Sequence, residues 1–220
     1  MAYQHLFADG TPCDLPAGKV VCVGRNYAEH AKELNNPIPS EPILFIKPST
    51  SLLDMAQPFS LPEGQGCIHF ETELALLIGK TLTKADEQTA ADAIVGVGLA
   101  LDMTLRDLQS KLKEKGQPWE KAKAFDGSCP VSAFIQTEKV GELTDIPLRL
   151  SVNGEVRQDG SSAQMLNPIV QLISYISQWF TLQPGDIVLT GTPAGVGEAK
   201  SGDELLVELP GQLSVNTQIL

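Results

Sequence analysis

Two glutamates one residue apart, Glu71 and Glu73, open an apolar run from Leu74 to Ile78 that Gly79 closes. The run has the length and composition of a buried strand. Side chains two apart on a strand share a face, so the carboxylates stand roughly 6.5–7 Å apart at about 3.3 Å per residue. One cation fits between them. Two ionised acids beside an apolar core repel each other and lose solvation, so they require an opposite charge or an edge strand that turns them to water.

A second pair, His30 and Glu33, lies in a segment where Tyr27, Ala31 and Leu34 recur at helical spacing. Residues three apart are neighbours on one helix face. There the glutamate orients the imidazole and raises its basicity toward water, or both residues belong to a solvated face. Gly24 before the helix and Pro37 and Pro39 after it make the segment a hinged cover, with Arg25 at the hinge and Asn26 as the expected cap.

Further along, Asp102 is the only charge in the apolar stretch 94–104, just before a helix expected from about Leu105 to Lys115. It reads as the N-cap of that helix or as a site acid, and from the first helical turn Arg106 and Gln109 share a face. Lys47 ends a proline-bracketed strand as a surface cap or as a cation aimed into a pocket, and Lys123 stands before a turn. The stretch from Gly191 to Gly197 carries Thr192 in a glycine-rich loop whose backbone N–H groups suit an anion, without the pattern of a nucleotide site.

The elements that must position these residues are short. Strands are expected at 19–24, 42–48, 74–79, 94–104 and 184–190, with hairpins turning at Asn153-Gly154 and Pro210-Gly211. Helices are expected near 27–34, 86–93, 105–115 and 168–180, the last capped by Asn167. Many strands and few, unevenly placed helices indicate an α+β or mainly β architecture, and no linker or repeat divides residues 1–220, which read as one domain.

Composition sets limits on function. The 220 residues carry 16 Lys and Arg against 27 Asp and Glu, a formal charge of −11 that argues against a nucleic-acid partner. Cys13, Cys22, Cys67 and Cys129 show no CxxC spacing, so neither a zinc knuckle nor a thioredoxin motif is supported. With no signal-peptide layout at the start and no run of membrane-spanning length, a reduced, cytoplasmic protein is the expectation.

Taken together, Glu71-x-Glu73, Asp102 with Arg106 and Gln109, Lys123, Gly24-Arg25-Asn26-Tyr27 and Gly185-Asp186-Ile187-Val188-Leu189-Thr190-Gly191-Thr192-Pro193 resemble the fumarylacetoacetate hydrolase family, specifically its short acylpyruvase and oxaloacetate decarboxylase members. The resemblance implies a mixed β-sandwich roll with a few short helices, a homodimer, and Mg²⁺ or Mn²⁺ held by Glu71, Glu73 and Asp102. It implies that Arg25, Lys47, Arg106, Gln109 and Thr192 bind a 2-oxo acid, and that His30, Glu33 and Lys123 are catalytic. The N-terminal domain of the larger members has no counterpart here, so the resemblance does not carry their exact substrate over to this chain.

Three carboxylates without a Cys or His ligand form a hard oxygen site that favours Mg²⁺ or Mn²⁺ over zinc. Such an ion takes up the enolate charge left when a bond beside a ketone breaks. The implied activity is acylpyruvate hydrolysis to pyruvate and a carboxylic acid, or oxaloacetate decarboxylation. The alternatives are an isomerase, hydratase or decarboxylase of a 2-oxo dicarboxylate, and a metal-dependent oxo-acid-binding module without turnover.

Overall fold

The computed structural model describes residues 3–34 and 36–220; Asn35, within the expected stop of the first helix, lies outside them. An eight-stranded mixed sheet forms the centre, in the order Ile43–Lys47, Val20–Gly24, Ile187–Leu189, Thr72–Ile78, Ile94–Leu101, Cys129–Val131 and Leu52–Asp54, with Ile135–Gln136 pairing to Ile94–Leu101 as a side branch. Val20–Gly24 runs parallel to Ile187–Leu189, and Leu52–Asp54 parallel to Cys129–Val131, while the other pairings are antiparallel. The α+β expectation and the mixed roll both hold.

Both faces of this sheet are covered, which explains why Thr72–Ile78 is buried at every position and reads as a continuous apolar run. Leu74, Leu76 and Ile78 join Val21, Val23 and Val188 on one face; Ala75 and Leu77 join Val20, Cys22 and Ile187 on the other. The period of two in the sequence thus becomes two separate apolar layers. The first layer packs on the helix Ile169–Trp179 through Leu172, Ile173 and Ile176, and on a four-stranded antiparallel sheet through Leu148, Leu150, Leu205 and Val207.

That smaller sheet runs Glu155–Ser161, Pro147–Val152, Glu204–Leu209, Leu213–Gln218. Its Asn153-Gly154 turn has φ of 53° and 81°, the paired left-handed conformation that makes Asn-Gly a hairpin signal. In the returning strand Leu150 faces Gln158 and Ser151 faces Val156, so Arg157 is an extra residue, a β-bulge. The bulge leaves Gln158 as the one fully buried residue of that strand.

Two expected helix caps do something else. The cap position of the helix Ala28–Glu33 is held by Tyr27, and that of Ile169–Trp179 by Pro168, neither with a side-chain capping bond. Asn26 and Asn167 instead bond each other: Asn26 Oδ1 accepts from the Asn167 backbone N–H at 2.9 Å and from its Nδ2 at 3.0 Å, while Asn26 Nδ2 donates to Thr190 O at 2.9 Å. The amides join three chain segments where Thr190 leaves the sheet. A propensity argument sees only the local backbone, whereas this partner lies 141 residues away.

Candidate active site

Strand register assembles the acidic cluster. Thr72 pairs with Leu101 and Glu73 with Ala100, so the residue after Leu101 falls opposite the residue before Thr72, and Asp102 N donates to Glu71 O at 2.8 Å. Glu71 itself sits in a one-residue break between Ile68–Phe70 and Thr72–Ile78, strands that belong to different sheets. Oxygen atoms of Glu71, Glu73 and Asp102 come within 4.8 Å of one another, and all three side chains are buried. Neither the solvated edge strand nor the helix cap describes them; Leu105 occupies the cap position of the helix Arg106–Glu114.

Cations surround two of the three acids. Arg106 Nη2 lies 2.5 Å from Glu71 Oε1, and Lys123 Nζ lies 2.8 Å from Glu71 Oε2 and 2.6 Å from Asp102 Oδ2. Lys47 Nζ approaches Asp102 Oδ1 to 2.8 Å, but out of line for a hydrogen bond, so that oxygen has no hydrogen-bond donor. Burial works to raise the Glu71 pKa, yet Lys123 and Arg106 outweigh it and hold the carboxyl well below its usual range. Burial likewise opposes the charge on Lys123, and Asp102 and Glu71 reverse that effect, raising its pKa.

Glu73 differs. Its Oε2 accepts the Gly191 N–H at 2.6 Å, but among the described residues no ammonium or guanidinium bonds it. Burial first, and then the charges of Asp102 and Glu71, push its pKa well above the ordinary value. An under-compensated buried acid beside two further carboxylates and an all-oxygen donor set fit a hard divalent ion. Gly191 is required for this contact, because its φ is +93° and a Cβ there would lie 2.8 Å from Asn26 Cβ.

The remaining candidates distribute unequally around one cleft. Arg25, His30, Arg106, Gln109, Lys123 and Thr192 line it together with the three acids. Gln109 Oε1 accepts from Arg106 Nη1 at 2.7 Å, as their shared helix face requires. His30 Nδ1 is 3.4 Å from Glu33 Oε2, and the Gly195 N–H reaches both Glu33 oxygens at 3.2 Å. Burial lowers the His30 pKa against the opposing pull of Glu71 and Glu33, which keeps the ring neutral. Lys47 is the exception: it is fully buried behind Asp102, with Nζ bonded to Lys123 O, Ser128 O and Ser128 Oγ. It supports an acid of the site and does not face the cleft as a substrate cation would.

Sequence reasoning missed Gln158 and Lys113. Gln158 Oε1 accepts the Thr72 N–H at 2.9 Å, and its Nε2 donates to Thr192 Oγ1 at 2.7 Å and Pro193 O at 2.8 Å; Thr192 Oγ1 in turn donates to Thr72 O at 2.8 Å. The ring clamps the residue between the two glutamates after Ile187–Leu189 has ended and the edge would otherwise lose its partners. Only the bulge at Arg157 turns Gln158 inward, so no local pattern marks it. Lys113 did leave a signal, since positions 106, 109 and 113 continue one helical stripe.

Known proteins share this arrangement of the chain. The model of the fumarylacetoacetate (FAA) hydrolase C-terminal family matches residues 19–220. The chain belongs to the fumarylacetoacetate hydrolase family. It is similar, at 55% identity over 219 residues covering 99% of this chain and 100% of the relative, to the oxaloacetate tautomerase YcgM of Escherichia coli. A mitochondrial oxaloacetate decarboxylase of Dictyostelium discoideum is 46% identical over 194 residues, 88% of this chain and 89% of that one. Among solved structures, fumarylpyruvate hydrolase from Pseudomonas aeruginosa in complex with Mn²⁺ and pyruvate superposes with a TM-score of 0.93 at 35% identity, covering 100% of this chain and 97% of the other.

Proposed function

We propose that this chain is a Mg²⁺- or Mn²⁺-dependent enzyme that forms the enol of a 2-oxo acid, with oxaloacetate as substrate. The observation that carries the reading is the under-compensated Glu73 carboxylate beside Glu71 and Asp102, in the same cleft as a neutral histidine. Relatives named for oxaloacetate tautomerisation and decarboxylation, and a neighbour named for fumarylpyruvate hydrolysis and solved with Mn²⁺, support it.

Glu71, Glu73 and Asp102 would hold the ion, which supplies a Lewis acid for the keto oxygen and an anchor for the adjacent carboxylate. Arg106 and Gln109 orient that carboxylate, with the guanidinium serving as a planar fork. Lys123 keeps positive charge beside the oxygen on which negative charge develops. His30 Nε2 has no protein partner among the described residues, so the neutral ring takes the C3 proton there while Glu33 and Gly195 hold the other side of the ring in place. Lys47 keeps Asp102 in position.

The same electron pair forms on C3 when CO₂ leaves in place of a proton, and when an acyl group leaves after His30 has activated water against it. Tautomerisation, decarboxylation and acylpyruvate hydrolysis are therefore one chemistry with three leaving groups. The test follows enol oxaloacetate by its ultraviolet absorbance and pyruvate by a coupled assay, with and without EDTA. Metal-restored turnover is expected; equal rates in EDTA overturn the reading, and metal binding without turnover leaves a binding module.

We also propose that residues 1–220 act as one catalytic unit, assembled as a homodimer in the cytoplasm. The four cysteines, all free, suit a reducing compartment, and exposed Trp179, Leu166 and Val156 offer apolar surface for a second copy. Among the described residues no helix is long and apolar enough to cross a membrane. Sedimentation at micromolar concentration tests the dimer.

A further inference from the structure

The chain is acidic overall, with 27 Asp and Glu against 16 Lys and Arg, yet its cleft is rich in cations. Lys123 and Arg106 are engaged by the acidic cluster. Arg25 and Lys113 also line the cleft, and among the described residues neither has a carboxylate within ion-pair distance. Lys113 Nζ donates only to the neutral Asn36 Oδ1, at 2.9 Å. Half of the 16 Lys and Arg lack a carboxylate partner among the described residues, and what sets Arg25 and Lys113 apart is that both line the cleft that holds the acidic cluster.

Backbone geometry adds an independent observation. Arg25 has φ of 59°, one of three non-glycine residues in the left-handed region among the described residues, and it follows Gly24 at the end of its strand. A side chain is held in that conformation only where its surroundings impose it, and such residues gather at ligand sites. Here the next residue, Asn26, is fixed by its bonds to Asn167 and Thr190. Lys113 comes from a different element, the helix Arg106–Glu114, one turn beyond Gln109 on the stripe that begins with Arg106. Burial, and then the nearby charges of Arg25 and Arg106, lower its pKa, as expected for a cation whose counter-ion arrives with the ligand.

From the cleft, the unpaired charges and the strained backbone we infer that Arg25 and Lys113 form the subsite for the second carboxylate of a 2-oxo dicarboxylate. The inference rests on the proposed function, because it takes the first carboxylate and the keto oxygen to be held at the acidic cluster. It adds the rule by which the cleft selects dicarboxylates: a 2-oxo monocarboxylate fills the inner part and leaves both cations unpaired.

Two inert 2-hydroxy acids, malate and lactate, share the chelating end and differ in the distal carboxylate. Their affinities for the Mn²⁺-loaded protein are measured by calorimetry. Malate is expected to bind at least tenfold more tightly. Arg25→Gln and Lys113→Met should each lower malate affinity about tenfold, in line with the loss of a charge-assisted bond, while lactate stays within about twofold. Lys113→Arg should restore the preference. In turnover, the KM for oxaloacetate should rise more than kcat falls. Equal weakening of both acids, or no preference for malate in the parent protein, overturns the subsite. A preference for malate without EDTA-sensitive turnover keeps the subsite and removes the proposed activity, so the two failures are distinguishable.

Discussion

Replacing Glu73 with glutamine tests the metal reading through stability as well as activity. The amide side chain is a near-isostere whose oxygen can accept the Gly191 N–H bond that Glu73 Oε2 receives at 2.6 Å, so packing changes little. What disappears is a buried carboxyl whose ionised form is disfavoured by burial and by the charges of Asp102 and Glu71, and which no ammonium or guanidinium bonds among the described residues. Without metal, Glu73→Gln should therefore be as stable as the parent or more so, by about 1–2 kcal/mol. With metal the order reverses. At a concentration near 100 times Kd, the parent gains about 2.7 kcal/mol, which for a chain of this size raises Tm by about 5–10 °C. The variant, with two of its three acids, should gain almost nothing. Thermal scans of both proteins in EDTA and in graded Mn²⁺ read this crossing directly. Equal Mn²⁺-induced shifts in the two proteins, or a variant much less stable than the parent in EDTA, would falsify the view that Glu73 awaits a dication.

Other expectations follow from the same contacts. Gln158→Leu leaves the buried Thr72 N–H without an acceptor, costing about 1–3 kcal/mol in urea unfolding. It should also weaken Mn²⁺ binding by calorimetry, and an unchanged metal affinity would show that the clamp serves the loop alone. Lys47→Met strands one side of Asp102 and removes a fully buried ammonium, a loss of about 3–5 kcal/mol that the denaturation midpoint reports. His30 has a pKa below 6.5 because burial disfavours its charged form, so the neutral base prevails at pH 7. The rate should fall only as pH drops through that lowered value. In His30→Gln this acid limb should vanish along with at least about 100-fold in kcat; a surviving limb would assign it to another group.

The acidic cluster was legible in the sequence because Glu71 and Glu73 stand at the mouth of an apolar run and Asp102 is the only charge in another, and a charge so placed has few explanations. Arg106 and Gln109 were legible because helical spacing alone puts them on one face. Lys47 shows the limit of that reasoning. A lysine ending a strand looks the same whether its ammonium meets solvent, substrate or a buried acid, and only the folded chain, which sets Asp102 and Ser128 around it, decides. Asn26 and Asn167 make the same point, since each has the composition of a helix cap and each bonds the other instead.

By itself, then, the order of residues determined which side chains could carry the chemistry and which strands and helices would bear them, because periodicity and composition are local properties. Tertiary structure decided the partners: the register that sets Asp102 opposite Glu71, the bulge that turns Gln158 onto Thr72, and the two cations left unpaired at the cleft. Each depends on atoms brought together from distant parts of the chain, where electrostatics and hydrogen bonding act over a few ångströms of space regardless of separation in sequence.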